Sequence, residues 1–351
     1  MLNLGIIYGV IEPMNYIINV IIINYKRKEC FHNMKWTYIV KRILIAIPTF
    51  IGIAILAYTV ASMAPGSPLD ALLADPNISV DEIERRRLAL GLDQPVIIQY
   101  WNWLKAFLQG DLGFSYSSKK PVTELISTRI GPTLLLSGCS LMLSLIVAIP
   151  AGIFAASKPY SKRDYASTGV SFLLLATPNF FAGLALIYIF AVTFKILPSG
   201  GMYDSSGSRD ISILLKHLIL PMLVLSSQQI GSWIRYMRSS MLEVMQEDYI
   251  RTSKAKGLKK QQVMLRHGLK NSLIPVITVV GMSVPNLVGG AVVTEQVFSW
   301  PGIGSLMVQA IGSRDYPIIM GITVLVASVV LIFNLITDII YGILDPRISY
   351  N

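Results

Sequence analysis

The chain has 351 residues, of which 53% are apolar and 14% charged, with a formal net charge of +10. Soluble domains carry about 25% charged residues, so the scarcity of charge and the long apolar runs exclude an ordinary soluble globule and indicate a polytopic membrane protein. The positive charge lies mainly in loops that fall on one side of a membrane, which excludes a nucleic-acid footprint as its explanation.

Residues 1–24 form an apolar run broken by Glu12, Pro13, Asn15 and Asn19, followed by Lys26-Arg27-Lys28. This extension reads as a weak extra span, as a signal-like segment, or as sequence upstream of the functional start. The signal reading is the weakest, because no small-residue cleavage site follows. Met34 opens a basic and then strongly apolar run, MKWTYIVKRILIAIP. The division expected is therefore an extension over 1–33, dispensable or a weak span, and a transmembrane domain over 34–351.

The first firm span is predicted over 43–63, with Lys35, Lys41 and Arg42 holding its start at the cytoplasmic side. Residues 64–129 carry seven basic and eight acidic side chains, a balance suited to a large external loop. A short helix over 80–90, opened by Ser79, is expected within it. The aromatics Tyr100, Trp101 and Trp103 read as an interfacial belt or the core of a small cap before they read as a binding surface.

Spans two and three are predicted over 133–156 and 168–192, joined by a short positive loop containing Lys158, Lys162, Arg163 and Asp164. Residues 195–212 are Gly/Ser-rich and external. Span four, 213–233, is interrupted by Lys216, His217, Gln228 and Gln229, of which Lys216 and His217 are expected to snorkel outward. Span five covers 274–297 and span six 318–344, with 298–316 outside between them. Six spans with both ends of the 34–351 core inside put every basic-rich loop on one face.

Between spans four and five lies the most polar stretch of the second half. From Arg235 to Lys270 there are nine Lys or Arg against Glu243, Glu247 and Asp248. Met241, Val244, Met245, Asp248 and Tyr249 recur at helical spacing, and Leu258, Leu265 and Leu269 do so again after Gly257. The segment reads as helix, Gly turn, helix at the inner membrane face. On composition it is either a basic amphipathic element resting on anionic lipid or a docking element.

Sites of chemistry are few. There is no G-x-x-x-x-G-K-[ST] phosphate loop, no G-x-S-x-G elbow and no H-E-x-x-H. His32, His217 and His267 are far apart, and Cys30 and Cys139 lack both disulfide context and metal-ligand spacing. In span five, Gly281, Ser283, Pro285, Asn286, Gly289 and Gly290 suit close helix packing first. A Pro-weakened helix presenting Asn286 to a pathway is the functional alternative. Asp338 and Glu295 lie near span ends, where the membrane interface is the economical reading.

Several motifs in fixed order now carry a resemblance: Ile47-Pro48, PGSP at 65–68, LGLDQP at 90–95, GDLG at 110–113, Thr177-Pro178, MLEVMQEDYIRTSKAKGL at 241–258, FSWPGIG at 298–304, RDYP at 314–317 and DPRI at 345–348. Over residues 34–351 the chain resembles permease subunits of peptide/nickel-type ABC importers, in the oligopeptide/dipeptide permease B-like branch. Their general loop pattern is Glu-Ala-Ala, three residues, Gly. Here Gly257 meets the Gly, but Arg251, Thr252 and Ser253 stand at the Glu-Ala-Ala positions. The peptide branch reads YIRTA-x-AKGL, which Tyr249 to Thr252 and Ala255 to Leu258 match. Ser67 stands where that family usually has Asp.

The resemblance implies an all-α integral membrane bundle of six spans, with a large external loop after span one and a cytoplasmic coupling loop between spans four and five. It implies a homologous second permease, two ABC ATPase subunits and an extracellular or periplasmic substrate-binding protein as partners, in a bacterial or archaeal cell membrane. ATP and Mg would be bound by the ATPase subunits, leaving this chain without a cofactor and without enzymatic activity. Coupling would fall to Tyr249, Arg251, Thr252, Ala255, Lys256, Gly257 and Leu258, with Pro285 and Asn286 as possible pathway lining. Cargo would be di- or oligopeptides, or alternatively nickel or another chelated metal. An ion-coupled secondary transporter would want a relay of intramembrane ionisable groups, which one peripheral Asp338 does not supply.

Overall fold

The computed structural model describes residues 36–63, 69, 79–204, 209–289 and 291–344, without the side chains of 36–41, 80, 86, 284–289 and 338–344. The extension, PGSP, DPRI and the side chain of Asp338 lie outside these residues. The regular structure described is helical, joined by turns and loops, with one isolated β-bridge between Phe114 and Pro121.

Helix α1 spans Trp36–Met63 and is followed by the shorter helices α2 (Val80–Ala89) and α3 (Val96–Leu108). Ser79 opens α2 as expected, its Oγ accepting from Glu82 N at 3.3 Å. Helix α3 turns back along α1. Tyr58 of α1 meets Tyr100 edge-to-face, Phe50 meets Phe107, and Trp103 stacks on Phe107. The aromatics Tyr100 and Trp103 are half-buried against α1, whereas Trp101 stays exposed.

Helices α4 (Val122–Ser157) and α7 (Ile211–Val244) form the central pair. At 36 and 34 residues they run on the order of 50 Å, well beyond about 30 Å of hydrocarbon. Helix α4 starts inside the segment expected to be an external loop, and α7 continues eleven residues past the predicted end of span four. Their close approach rests on Ser140, Ser144, Ala148, Gly152 and Ala156 of α4, four residues apart and all buried. A Cβ on Gly152 would lie 2.5 Å from Met237 Cβ. Lipid offers no hydrophobic drive between helices, so close van der Waals packing across small residues holds the pair instead. Ser144 Oγ adds a hydrogen bond to Gln229 Oε1 at 3.0 Å.

Predicted span three is not one helix. Helix α5 (Lys162–Ala176) and helix α6 (Asn179–Leu186), the latter running into π-helical turns over Ile187–Thr193, meet at a bend of 98°. The break falls on Thr177-Pro178, both extended. The ring of Pro178 pushes the preceding residue out of the helical region and removes a donor from the ladder.

After α7 come α8 (Asp248–Ala255), α9 (Lys260–Gln262) with π-helical turns over Val263–Gly268, and α10 (Leu269–Gly289). Predicted span five also divides, because α10 ends at Gly289 and α11 (Val292–Val297) is separate. Helices α12 (Ile303–Gly312) and α13 (Tyr316–Leu344) complete the chain. Among the described residues four helices are long and apolar enough to cross a membrane, or five if α5 and α6 make one span, against six predicted.

Two polar knots tie the helix ends together. In the first, Asp315 of RDYP is fully buried, and its Oδ2 accepts from Ser115 Oγ at 2.6 Å, Ser117 Oγ at 2.9 Å and Ser117 N at 3.1 Å. The loop after GDLG is thereby tied to the start of α13. Tyr116 packs edge-to-face on Tyr316 beside it, and burial, with the charge of Asp315 adding to it, raises the Tyr116 phenol pKa.

The second knot is FSWPGIG. Glu295, expected near the membrane interface, is fully buried within the protein. Its Oε1 accepts from Thr133 Oγ1 at 2.7 Å and its Oε2 from Ser305 N at 3.0 Å. Thr133 Oγ1 in turn accepts from Ile303 N at 2.8 Å, and Trp300 Nε1 donates to Pro132 O at 2.9 Å. The carboxylate thus sits at the N-terminus of α12, whose first-turn N–H groups have no helical partner. Gly302 and Gly304 make room for it, since a Cβ on Gly302 would lie 2.2 Å from the carboxylate. Gly201 N donates to Phe298 O at 2.7 Å, so the Gly/Ser-rich loop joins the same knot. His217 does not snorkel: its Nδ1 donates to Gly200 O at 2.9 Å, whereas Lys216 is exposed.

Candidate coupling surface

The helical spacing that runs from Met241 to Tyr249 is interrupted by a turn. α7 stops at Val244, a turn runs through Met245 to Glu247, and α8 starts at Asp248. No side chain caps α8 at Glu247. At its other end, Gly257 N donates to Lys254 O at 3.0 Å and Gly257 takes φ +78°. That is the left-handed region, open to glycine and costly for a residue with a Cβ. The expected helix, Gly turn, helix is present, with α9 on the far side of the turn.

This hairpin is fastened from beneath. Ile250 of α8 and Val263 after α9 are fully buried, and Met241 of α7 is buried with them. Gly268 lets the chain pass close to Met245 and Met241, since a Cβ there would lie 3.1 and 3.3 Å from their sulfurs. Asn271 Nδ2 donates to Tyr249 OH at 2.6 Å, and Lys260 Nζ donates to Ser157 O at the end of α4 at 2.8 Å. The Arg251–Asp248 ion pair, at 3.5 Å and exposed on both sides, contributes little by comparison.

The upper face carries the residues singled out from sequence. Tyr249, Arg251, Thr252, Ala255, Lys256, Gly257 and Leu258 are all exposed and contiguous on α8 and its turn. An apolar and aromatic edge, Tyr249 and Leu258, flanks a basic, small-residue ridge. Pro285 and Asn286 fall in the last turns of α10, and their side chains lie outside the described residues. Sequence reasoning missed Ile250, Asn271 and Lys260. Ile250 was legible as the one large aliphatic residue between polar neighbours in DYIRTSK; Asn271 and Lys260 carry no local signal. Among the described residues no cluster of His, Cys, Asp and Glu has the geometry to hold a metal ion.

Two family patterns match this chain. Residues 148–350 match the binding-protein-dependent transport system inner membrane component, and residues 35–137 its N-terminal membrane component. The chain belongs to the binding-protein-dependent transport system inner membrane component family. It is 46% identical over 314 residues to the oligopeptide transport system permease protein AppB of Bacillus subtilis (strain 168), covering 89% of this chain and 99% of AppB. It is 36% identical over 334 residues to the dipeptide transport system permease protein DppB of Escherichia coli (strain K12), covering 89% and 98%. An inward-facing structure of the MetNI methionine ABC transporter shares the fold, with a TM-score of 0.50 at 16% identity over 62% of this chain and 95% of that one. This family member is thus a multi-pass membrane permease, a transport subunit rather than an enzyme. Membership implies ATPase and substrate-binding partners in general terms.

Proposed function

We propose that this chain is one of a pair of homologous permeases in an ABC importer of di- and oligopeptides, and that the Gly257 hairpin is the lever that its ATPase subunits move. The observation that carries the reading is the combination of an exposed upper face with a fastened lower one. A lever must offer a surface to its driver and still transmit displacement, and Ile250, Val263 and the Tyr249–Asn271 hydrogen bond connect α8 to α7 and α10. ATP and Mg belong to the ATPase subunits, and this chain holds no cofactor. The ATPase dimer closes on ATP, and the differential contact it makes with the hairpin in its two states shifts the permease pair between inward-open and outward-open forms. The peptide cargo is drawn from the relatives AppB and DppB; nothing in the site favours nickel.

The test is reconstitution of the complete importer in proteoliposomes. ATP-driven uptake of short peptides is expected, with no uptake of nickel and no ATP hydrolysis by this chain alone. Nickel accumulation without peptide uptake would reverse the cargo assignment, and hydrolysis by the pure chain would remove the permease assignment.

The six-span arrangement with cytoplasmic ends for the 34–351 core is also part of this reading. It rests on charge, since the ridge around Gly257 is basic and the region around Ser118 is balanced. In a background lacking Cys30 and Cys139, Ser118→Cys is expected to react with a membrane-impermeant maleimide on intact cells, and Ser253→Cys only after permeabilisation. Labelling of Ser253→Cys from outside would invert the orientation.

A further inference from the structure

Between α5 and α7, toward the inner face, lies a cavity of about 420 Å³ lined by Thr168, Ser232, Arg235, Tyr236, Arg238 and Ser239. Its floor is preorganised. Arg238 Nε and Nη2 grip the carboxylate of Asp164 at 2.5 and 2.7 Å, and Asp164 Oδ2 also accepts from Tyr160 N at 2.9 Å. Asp164 is 2% exposed, and both of its oxygens are used. A bidentate pair of this kind fixes the guanidinium plane and leaves its remaining Nη1 for another acceptor. Arg235 lies over the Phe172 ring at 5.0 Å, which holds its guanidinium at the cavity wall. Because Asp164 neutralises Arg238, the cavity keeps the single uncompensated positive charge of Arg235.

Four hydroxyls gather around this charge. Ser226, Ser227 and Ser240 of α7 donate to main-chain carbonyls at 3.1, 2.8 and 2.8 Å, and Ser171 of α5 does so at 2.8 Å. A helical serine can satisfy its proton in that way. Ser232, Ser239, Thr168 and Tyr236 make no hydrogen bond within the described residues, and all four line the cavity. Four spare donors and one spare cation, with no free carboxylate among the lining residues, suit an oxyanion.

We propose that this cavity is an oxyanion-binding site, held by Arg235 and Arg238 and completed by Ser232, Ser239, Thr168 and Tyr236. Its ligand is a carboxylate or phosphate monoanion. A peptide C-terminus and the phosphodiester of an anionic lipid of the inner leaflet share this chemistry, and the first source rests on the peptide-importer reading above.

The experiment uses the complete importer, as wild type and with Arg235→Gln, Arg235→Lys or the pair Ser232→Ala/Ser239→Ala. Arg238 is left intact, since removing it would strand the buried Asp164. One arm measures ATP-driven uptake of a tripeptide and of its C-terminal amide. If the peptide supplies the oxyanion, wild type favours the free acid and Arg235→Gln erases the preference, a loss of about tenfold as for one charge-assisted hydrogen bond. The other arm measures phosphatidylglycerol retained by the purified complex, using native mass spectrometry. If the lipid supplies it, Arg235→Gln and the serine pair lose the bound lipid while the two peptides are affected alike. Arg235→Lys is expected to fall between in either arm, because it keeps charge without the fork. Should Arg235→Gln fail to assemble, the serine pair gives the same reading. Unchanged peptide preference together with unchanged lipid retention in all variants overturns the site. A wild type that imports no peptide defeats the cargo assignment alone, and the lipid arm then decides the site.

Discussion

Gly257→Val is expected to insert and accumulate normally yet abolish ATP-driven uptake. Gly257 sits at φ +78°, and a Cβ built there meets nothing within 4 Å. Within this chain the substitution therefore carries only the backbone cost of the left-handed region, about 1–2 kcal/mol. The long pair α4 and α7 is held by packing along its whole length, so this cost will not unfold the bundle. The hairpin is different, because its turn fixes the angle between α8 and the chain entering α9. Relief of the strain rotates the ridge of Arg251, Thr252, Ala255 and Lys256 relative to Ile250, its buried anchor. The series Gly257→Ala, Gly257→Asn and Gly257→Val separates backbone from bulk. Asn tolerates the left-handed region several-fold better than most residues, so it should keep the most uptake and the most co-purifying ATPase. Wild-type uptake in all three would mean that the hairpin is not the lever.

Glu295→Ala is expected to have the largest effect on stability. It strands Thr133 Oγ1 and Ser305 N, donors now satisfied at 2.7 and 3.0 Å in a fully buried site. Each unsatisfied buried group costs about 1–3 kcal/mol, so the variant should lose several degrees in thermal unfolding of the purified protein. Gly302→Ala should be harmful for the opposite reason, since its new Cβ would overlap the carboxylate at 2.2 Å. The two changes should not add. With Glu295 shortened to Ala, the methyl at 302 has room, and the double variant should be no less stable than Glu295→Ala alone. Residues that share a contact couple in this way, whereas independent sites add. Strict additivity in the double-variant cycle would show that the carboxylate does not occupy the space Gly302 leaves.

By itself the sequence determined the class and the placement of charge. Apolar runs long enough for a bilayer are a property of composition. A basic stretch centred on Gly257 is a local pattern, and a left-handed turn there needed only glycine between two helical repeats. The seven residues assigned to coupling came from the resemblance of the loop to peptide-importer permeases, and all seven are exposed on one short helix and its turn.

What only the tertiary structure decided is where distant residues meet. Hydropathy averages over a window, so it cannot see that Thr177-Pro178 bends one apolar run by 98° or that 274–297 divides at Gly289. It placed Glu295 at an interface because a carboxylate in hydrocarbon is costly. The structure lowers that cost with Thr133, 162 positions away along the chain, and with the N-terminus of α12. Asp315 and Ser115 are 200 positions apart, and Asp164 and Arg238 74. Partners at such separations leave no periodic trace in one sequence, because each satisfies a buried polar group whose need arises only once the helices have packed.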